Sequence, residues 1–295
     1  MASTTSTVTT RDGTVLLVRH WEPSGAAPSG AAAFAQPLAT ALLVHGLSEH
    51  SGRYERVGGW LAQAGIDVQA YDQRGWGGSS GRRGDVERWD DLLDDLAVRL
   101  DQARAGARGP VFIYGHSLGG LVTTSYLVSG RPLPDLAVLS APGIDSAHGR
   151  GVRLLAAVAG RLAPTVRPPV VPEHWDALSR DPSVGEAFRV DPFAVHDPTA
   201  RFGAISFREQ RRTRDALNRM LAAGQPFPVP TLVIHGSDDR VVPCAASEVL
   251  AEFPNVTRRV HPGIRHELHN EPEGETIVGG VIEWVREQAA RAEVA

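Results

Sequence analysis

Residues 115–119 read G-H-S-L-G and place Ser117 between a strand-like apolar run, residues 111–114, and a helix-like stretch, residues 118–128. A serine at a sharp strand-to-helix turn holds its hydroxyl clear of its neighbours and close to backbone N–H groups at the start of the helix. The pattern predicts a nucleophilic serine. A glycine-rich turn around a buried serine is the alternative interpretation.

A serine nucleophile needs a histidine to take its proton and a carboxylate to fix the tautomer of that histidine. Hydrolases with this turn present the three residues in the order Ser, Asp or Glu, His. The apolar run 231–234 leads into H-G-S-D-D-R-V-V-P, in which Asp239 is the fourth residue of G-x-x-D-x-x-V-P. We predict that Asp239 is the acid and interpret Asp238 as a turn residue or a surface charge.

The predicted base follows another strand-like run, residues 256–261. We assign it to His266, which lies on a glycine-containing loop before a final amphipathic helix, with His269 as the alternative. The string H-E-L-H also suggests zinc, but the metalloprotease pattern H-E-x-x-H has its second histidine one residue later. We therefore expect no metal ion and no cofactor.

Two backbone N–H groups are needed to stabilise the oxyanion that develops during acyl transfer. Leu118 supplies the first because it follows the serine. The apolar run 39–44 ends in H-G-L-S-E-H-S-G-R-Y, which predicts that the N–H of Leu47 is the second.

The strings H-G-L-S-E-H-S-G-R-Y, G-H-S-L-G-G, G-S-D-D-R-V-V-P and R-H-E-L-H-N-E together resemble the monoacylglycerol lipase family of α/β-hydrolases. The resemblance covers most of the chain. It implies an α/β-hydrolase fold, with a mostly parallel eight-stranded sheet, helices on both faces and an inserted helical cap. Family members usually carry histidine where this chain has Trp76, and we expect this departure to alter the rim of the site.

The same resemblance implies that Glu49, Arg53 and His269 hold the leaving glycerol beside the predicted triad. The alternative is that Glu49 and Arg53 only pair with each other or cap the helix near Tyr54.

Strand-like and helix-like runs alternate along the chain, which also predicts a mostly parallel sheet covered on both faces. The strand-like runs are residues 14–18, 39–44, 66–70, 111–114, 136–139, 231–234 and 256–260. The helix-like runs are residues 54–64, 89–105, 118–128, 245–253 and 273–292.

Residues 143–226 break this alternation and are predicted to form the cap, inserted into a core of residues 1–142 and 227–295. A cap over a serine site can exclude water, and apolar residues on its outer surface can touch a lipid interface. The alternative is that these residues form the core of the cap itself. They are Val152, Leu154, Leu155, Val158 and Leu162. The proline-rich residues 164–172 predict a stiff bend, and residues 24–36 predict a loop.

The composition is that of a globular enzyme, with 42% hydrophobic and 22% charged residues in a chain of 295. A net charge of −4 argues against a nucleic-acid partner. The single cysteine, Cys244, excludes an intrachain disulfide, and the N-terminus lacks the pattern of a secretory signal. We expect a cytoplasmic protein that can contact membranes peripherally.

These residues predict a serine ester hydrolase that works through an acyl-enzyme. The resemblance implies monoacylglycerols as substrates. A lysophospholipase, a general carboxylesterase and a proline-type aminopeptidase use the same triad, so fold and triad do not separate them. A ligand-binding receptor on a hydrolase scaffold is the non-enzymatic alternative, and the complete triad argues against it.

Overall fold

The computed structural model describes residues 2–24, 37–168 and 175–294, with side chains up to residue 291. The described residues form eight strands: β1 (Thr4–Thr9), β2 (Val15–Trp21), β3 (Ala39–Val44), β4 (Ile66–Tyr71), β5 (Val111–His116), β6 (Leu136–Ser140), β7 (Thr231–Gly236) and β8 (Val256–His261). They make one sheet in the order β1-β2-β4-β3-β5-β6-β7-β8. The β1–β2 and β2–β4 pairs are antiparallel and the others are parallel, which confirms the predicted mostly parallel eight-stranded sheet.

Seven α-helices occur in the same described ranges: α1 (Glu55–Gln63), α2 (Trp89–Gly106), α3 (Leu118–Leu127), α4 (Arg150–Leu162), α5 (Pro182–Val190), α6 (Ala200–Ala222) and α7 (Gly274–Val294). Short 3₁₀ segments cover Ser51–Tyr54, Trp175–Ala177, Cys244–Glu252 and Leu268–Asn270. In this part of the chain, no helix is long and apolar enough to cross a bilayer.

The central strands are buried on both faces, which their continuous apolar sequences predict. Successive side chains of a strand point to opposite faces, so Leu42 and Val44 of β3 join the core on one side while Ala41 and Leu43 join the core on the other. The parallel direction of β3, β5, β6 and β7 places their carboxyl ends at one edge of the sheet, where the predicted site residues follow.

The strand-like runs predicted from the sequence did not include β1, whose residues T-T-S-T-V-T are mostly exposed. This strand lies at the edge of the sheet and pairs only with β2 among the described strands. Since an exposed edge strand needs no apolar face, hydrophobic patterning gave no signal for it.

The helix predicted at residues 245–253 is instead the 3₁₀ segment Cys244–Glu252. The carbonyl oxygen of Cys244 accepts a hydrogen bond from Arg258 Nη2 at 2.8 Å, and the Ser247 hydroxyl oxygen lies 3.1 Å from the same carbonyl oxygen. At the start of this segment, side-chain hydrogen bonds to the Cys244 carbonyl compete with the backbone bond that an α-helix would make there.

Between β6 and β7 the chain forms α4, α5 and α6, and α4 packs along α6. The contact uses small residues, since a Cβ atom on Gly160 would lie 2.5 Å from the Cβ of Ala204. No side chain of α4, a helix that lies wholly in the described ranges, is buried.

The proposed core role for the apolar residues of α4 is therefore wrong. Leu154, Leu155 and Leu162 are 67%, 68% and 77% exposed, and Val152 and Val158 are 49% and 46% exposed. The bend expected at residues 164–172 lies partly outside the described residues, as does nearly all of the loop expected at residues 24–36.

Candidate active site

Ser117 lies at the turn between β5 and α3, in a backbone conformation with φ of 52° and ψ of −115°. A positive φ is unfavourable for a residue with a side chain, so the surroundings must hold it. Gly119 permits the close packing, since a Cβ there would collide with the carbonyl oxygens of Val44 and His45. The tight turn leaves Ser117 only 9% exposed, at the carboxyl edge of the sheet.

The structure brings Ser117, His266 and Asp239 together in one hydrogen-bonded chain. The distance from Ser117 Oγ to His266 Nε2 is 2.9 Å, and that from His266 Nδ1 to Asp239 Oδ2 is 2.8 Å. An ionised carboxylate only accepts, so Nδ1 of His266 carries the proton and Nε2 is free to accept the serine hydroxyl proton. This is the arrangement that activates a serine for attack on a carbonyl carbon.

Burial alone would lower the pKa of His266, but the charge and the hydrogen bond of Asp239 raise it above its usual value. Burial would raise the pKa of Asp239, whereas the charge of His266 and the hydrogen bonds from His235 and His266 hold it well below its usual range. The acid is therefore ionised and can stabilise a protonated His266.

The loop after β7 distinguishes the two neighbouring aspartates. Asp239 Oδ1 accepts backbone N–H groups of Val241 and Val242 at 2.9 and 2.8 Å, which orients the carboxylate. Asp238 is 45% exposed at its side chain and pairs with Arg240 at 3.3 Å. Only Asp239 of the two contacts His266 in the described structure, and Asp238 lies at the surface.

The predicted oxyanion donors border Ser117. A Cβ atom on Gly46 would lie 3.2 Å from the Cβ of Ser117, so the loop that carries Leu47 runs beside the nucleophile. The N–H groups of Leu47 and Leu118 have no hydrogen-bond acceptor among the described residues. Both N–H groups thus remain available for a developing negative charge.

His45 fixes the peptide unit that contains the Leu47 N–H. Its Nε2 accepts the N–H of Gln73 at 2.9 Å, so Nδ1 carries the proton and donates to the carbonyl oxygen of Gly46 at 2.8 Å. Because the Gly46 carbonyl and the Leu47 N–H belong to one planar peptide, this bond sets the direction of the donor. Burial lowers the pKa of His45, which keeps the ring neutral.

Glu49, one of the residues implied to bind glycerol, uses both carboxylate oxygens within the protein. Its Oε1 accepts from the Gly46 N–H at 2.5 Å and from the Tyr54 hydroxyl at 2.7 Å, and its Oε2 accepts from Arg53 Nε at 3.2 Å. Arg53 Nη2 also lies 2.9 Å from both carboxylate oxygens of Glu267. The pairing of Glu49 with Arg53 is thus present, but as part of a buried network rather than at the surface.

This network joins the loop of Leu47 to the loop of His266. Burial would raise the pKa of Glu267, but the adjacent Arg53 guanidinium and other partners hold it below its usual value. The Glu267 carboxylate is also bound by Asn270 Nδ2 at 2.7 Å. Glu267 follows His266 directly, so the ion pair anchors the base.

His269 is completely buried, and neither ring nitrogen has a hydrogen-bond partner among the described residues. Its ring stacks on Tyr54 at 5.0 Å and meets His116 edge-on at 5.0 Å. Burial, together with the neighbouring His116, lowers the pKa of His269 well below its usual value. Of the three residues implied to bind glycerol, His269 alone has buried side-chain nitrogen or oxygen atoms without a hydrogen-bond partner in the described structure.

His116 lies between His269 and the predicted base, with its ring 4.8 Å from that of His266. Burial, and then the nearby His266, lower the pKa of His116 to about 4. A neutral His116 adds no positive charge beside His266 when that residue becomes protonated.

Trp76 lies in the core rather than at the rim of the site. Its side chain is 1% exposed and meets Phe202 of α6 at 4.7 Å between ring centroids. The expectation that this residue alters the rim is therefore wrong, because the ring fills the space between the sheet and α6.

The segment between β6 and β7 is hydrogen-bonded to both loops of the site. The N–H of Val195 donates to the Ser48 carbonyl at 3.0 Å, and the N–H of Glu267 donates to the Leu178 carbonyl at 2.7 Å. His50 Nε2 lies 2.9 Å from Asp191 Oδ2. Residues near 178 and 191–195 thus help to hold the loops that carry Leu47 and His266.

Several supporting residues escaped the sequence prediction, among them His45, His116 and His235. Each lies at or just beyond the carboxyl end of a strand, β3, β5 and β7 respectively. Each of these three strands carries a histidine near its carboxyl end, and this pattern in the sequence could have indicated residues that support the site. In the described parts of the chain, no three His, Cys, Asp or Glu side chains form a group that could hold a metal ion.

Comparisons with known proteins agree with this geometry. The model of the Hydrolase_4 family, described as serine aminopeptidase, S33, matches residues 35–273. The chain is 32% identical over 255 residues to a monoacylglycerol lipase of Mycolicibacterium smegmatis, and the match covers 84% of this chain and 88% of the relative.

Solved structures show the same fold. The monoacylglycerol lipase of Paleococcus ferrophilus is similar with a TM-score of 0.75 and 25% identity, over 98% of this chain and all of that one. A soluble variant of monoglyceride lipase from Saccharomyces cerevisiae, in complex with a substrate analog, has a TM-score of 0.83 and 19% identity, over 98% and 96% of the two chains. The predicted α/β-hydrolase fold is therefore confirmed.

Proposed function

The chain belongs to the Hydrolase_4 family, described as serine aminopeptidase, S33, and is an ester hydrolase; we propose that it is a monoacylglycerol lipase. The observation that carries the chemistry is the position of His266, within hydrogen-bond distance of both Ser117 Oγ and Asp239 Oδ2. The similarity to monoacylglycerol lipases supports the choice of substrate.

In the proposed mechanism, Ser117 Oγ attacks the ester carbonyl carbon while His266 Nε2 takes the hydroxyl proton. The N–H groups of Leu47 and Leu118 bind the negatively charged oxygen of the tetrahedral intermediate. The C–O bond to glycerol then breaks, and His266 returns its proton to the leaving glycerol oxygen. Water repeats the sequence on the acyl-enzyme, which releases the fatty acid and restores the Ser117 hydroxyl.

We propose that His269 binds a hydroxyl group of the glycerol. Its neutral ring offers one donor and one acceptor, and both nitrogens lack partners among the described residues. Glu49 and Arg53 would support this subsite indirectly, since their hydrogen bonds hold the Gly46 backbone and Glu267.

A matched pair of substrates tests this role. His269→Phe keeps the stacking surface but removes both nitrogens, so kcat/KM for monooleoylglycerol should fall about tenfold, the value of one hydrogen bond. Hydrolysis of p-nitrophenyl oleate, which has the same acyl chain and no glycerol, should change less than twofold. An equal loss on both substrates would contradict the glycerol subsite.

We propose that residues 143–226 act as the cap of the site and that α4 rests on a lipid surface. The helix exposes three leucines, carries Arg150, Arg153 and Arg161, and contains no acidic residue. A helix with exposed apolar side chains and only positive charges fits the boundary of an anionic membrane. A substrate that resides in membranes would then be close to the site.

Initial rates on a substrate panel test the proposed function, with Ser117→Ala as the blank. The panel contains monoacylglycerols, diacylglycerols, lysophospholipids, short p-nitrophenyl esters and a prolyl amide. We expect the highest kcat/KM for monoacylglycerols. A preference for short aryl esters would retain the triad and reject the lipid assignment, whereas cleavage of the prolyl amide alone would indicate an aminopeptidase.

A further inference from the structure

Asp239 contacts two histidines through the same carboxylate oxygen. His266 Nδ1 lies 2.8 Å from Asp239 Oδ2, and His235 Nε2 lies 3.2 Å from that atom. His235 is completely buried at the end of β7 and does not contact the nucleophile in the described structure. The proposed mechanism gives this second histidine no role.

The surroundings of His235 determine where its proton lies. Its Nε2 faces only acceptors, the carbonyl oxygen of Val242 at 3.0 Å and Asp239 Oδ2, so Nε2 must carry a hydrogen. Its Nδ1 lies 2.9 Å from the Ser247 hydroxyl oxygen. In the neutral ring, Nδ1 accepts and the Ser247 hydroxyl donates.

Arg258 on β8 favours this direction of donation. Its Nε donates to Ser247 Oγ at 2.9 Å, and its Nη2 donates to the carbonyl oxygen of Cys244 at 2.8 Å. The Cys244 carbonyl, 3.1 Å from Ser247 Oγ, is the alternative acceptor for the Ser247 hydroxyl, and it already accepts one hydrogen bond from Arg258, whereas His235 Nδ1 has no other donor among the described residues. Hydrogen bonds thus run from Arg258 through Ser247 to His235, whose Nε2–H donates to the Val242 carbonyl and also lies 3.2 Å from Asp239 Oδ2.

The backbone beside His235 also contacts the loop of the base. A Cβ atom on Gly236 would collide with the carbonyl oxygen of Ile264, two residues before His266. His235 bridges the side chain of Asp239 and the carbonyl group of Val242, while Val242 donates its N–H to the other oxygen of Asp239. This closed set of bonds restricts rotation of the carboxylate.

We propose that His235 is a positioning residue for the acid, fixed by Ser247 and Arg258, which holds Asp239 Oδ2 toward His266. The inference rests on the proposed triad chemistry, but it does not depend on which ester is the natural substrate. His235 would stabilise the transition state rather than the bound substrate, because His266 carries the positive charge that Asp239 stabilises only while the tetrahedral intermediate forms and breaks down.

The test compares His235→Leu with His235→Gln on p-nitrophenyl butyrate. Leucine removes the donor, whereas the glutamine amide can place an N–H group near the position of imidazole Nε2. We expect kcat to fall about tenfold in His235→Leu with KM within twofold of the wild type, and we expect His235→Gln to recover kcat to within about threefold. Wild-type kcat in His235→Leu, or equal losses in the two folded variants, would overturn the proposal.

A double-mutant cycle separates positioning from general damage to the fold. If His235 acts through Asp239, then adding His235→Leu to Asp239→Asn should lower kcat by less than twofold further. A full tenfold further loss would show that the two residues act independently and would overturn the proposal. Wild-type turnover of the ester in the same assay establishes the underlying hydrolase activity separately.

Ser247→Ala provides a second route if His235→Leu does not fold. The variant leaves the imidazole in place but removes the group that fixes its orientation, so kcat should fall about threefold with unchanged KM, and the loss should vanish in the Asp239→Asn background. Unchanged kcat in Ser247→Ala, or a loss that persists in that background, would contradict the proposed chain of hydrogen bonds.

Discussion

The exposed leucines of α4 allow a test of the proposed contact with lipid. We consider the triple variant Leu154→Gln, Leu155→Gln and Leu162→Gln. Glutamine has nearly the same helix propensity as leucine, and all three side chains are more than 60% exposed. Each substitution should therefore change the free energy of unfolding by no more than about 0.5 kcal/mol.

The exposed fractions of 67%, 68% and 77% set the size of the effect. Together they correspond to about two fully exposed leucine side chains, each worth about 2 kcal/mol when moved from water to an apolar phase. The triple variant should lose up to about 4 kcal/mol of membrane affinity. Since 1.4 kcal/mol is tenfold, the vesicle partition constant should fall by about 10²–10³.

Flotation with vesicles of phosphatidylglycerol and phosphatidylcholine measures this constant. Turnover is measured in parallel on monooleoylglycerol in the same vesicles and on soluble p-nitrophenyl butyrate. We expect the triple variant to lose vesicle binding and turnover of the vesicle substrate, and to hydrolyse the soluble ester within twofold of the wild type. Val15→Thr and Val260→Thr, at positions exposed by 37% and 41% on the sheet, serve as controls that should bind normally.

Two results would refute this reasoning. Unchanged vesicle binding would show that α4 does not face the lipid. An equal loss on the soluble ester would show that the leucines support the site itself rather than its approach to a membrane.

Three further predictions concern the site. Asp239→Asn should lower kcat about 10⁴-fold, because the amide no longer fixes the tautomer of His266; a loss below tenfold would contradict the triad. The value of kcat/KM should fall as the pH drops through the pKa of His266, which is raised above the usual histidine value of about 6.5. A rate that stays constant from a pH of roughly 5 to roughly 8, the range over which a histidine titrates, would exclude His266 as the base. Glu267→Gln should lower the free energy of unfolding by about 3 kcal/mol near neutral pH, because it leaves the Arg53 charge partly unpaired. The pKa of Glu267 is lowered, so the stability difference between wild type and Glu267→Gln should shrink when acid protonates the wild-type carboxylate. Urea titrations at two pH values measure this difference, and a difference that stays constant would contradict the prediction.

Local motifs carried most of what the sequence could predict about the site. Ser117, Asp239 and His266 each follow a strand-like run, and parallel strands bring their carboxyl ends to one edge, so chain order was enough to expect their proximity. The structure brings these residues within hydrogen-bond distance.

The sequence could not predict in the same way that both carboxylate oxygens of Glu49 accept hydrogen bonds within the protein. Its partners include Tyr54 and, through Arg53, Glu267, which is 218 positions later in the numbering of the chain. Motif position shows which residue types occur near a site, whereas the assignment of each carboxylate oxygen depends on packing in three dimensions. The choice between a glycerol ligand and a structural pair was therefore open until the contacts were known.

The exposure of α4 was also beyond the reach of hydrophobic patterning. A periodic set of leucines and valines predicts a helix with an apolar face, but not what covers that face. In this fold α6 packs against Gly160 of α4, so the leucines remain outside. The position of the small residues Gly160 and Ala204 therefore determines which face of α4 packs against α6.

The hydrogen bonds from the inserted segment to the two site loops limit how this enzyme can be recombined with its relatives. Val195 and Leu178 make these bonds through backbone atoms, so the local path of the chain matters more than the side chains. The α4 region, residues 146–168, makes neither bond and is the exchangeable unit for transplanting a new lipid-facing surface. A chimera that replaced all of residues 143–226 would also remove the backbone hydrogen bonds to the loops that carry Leu47 and His266. The replacement segment would have to supply equivalent hydrogen bonds.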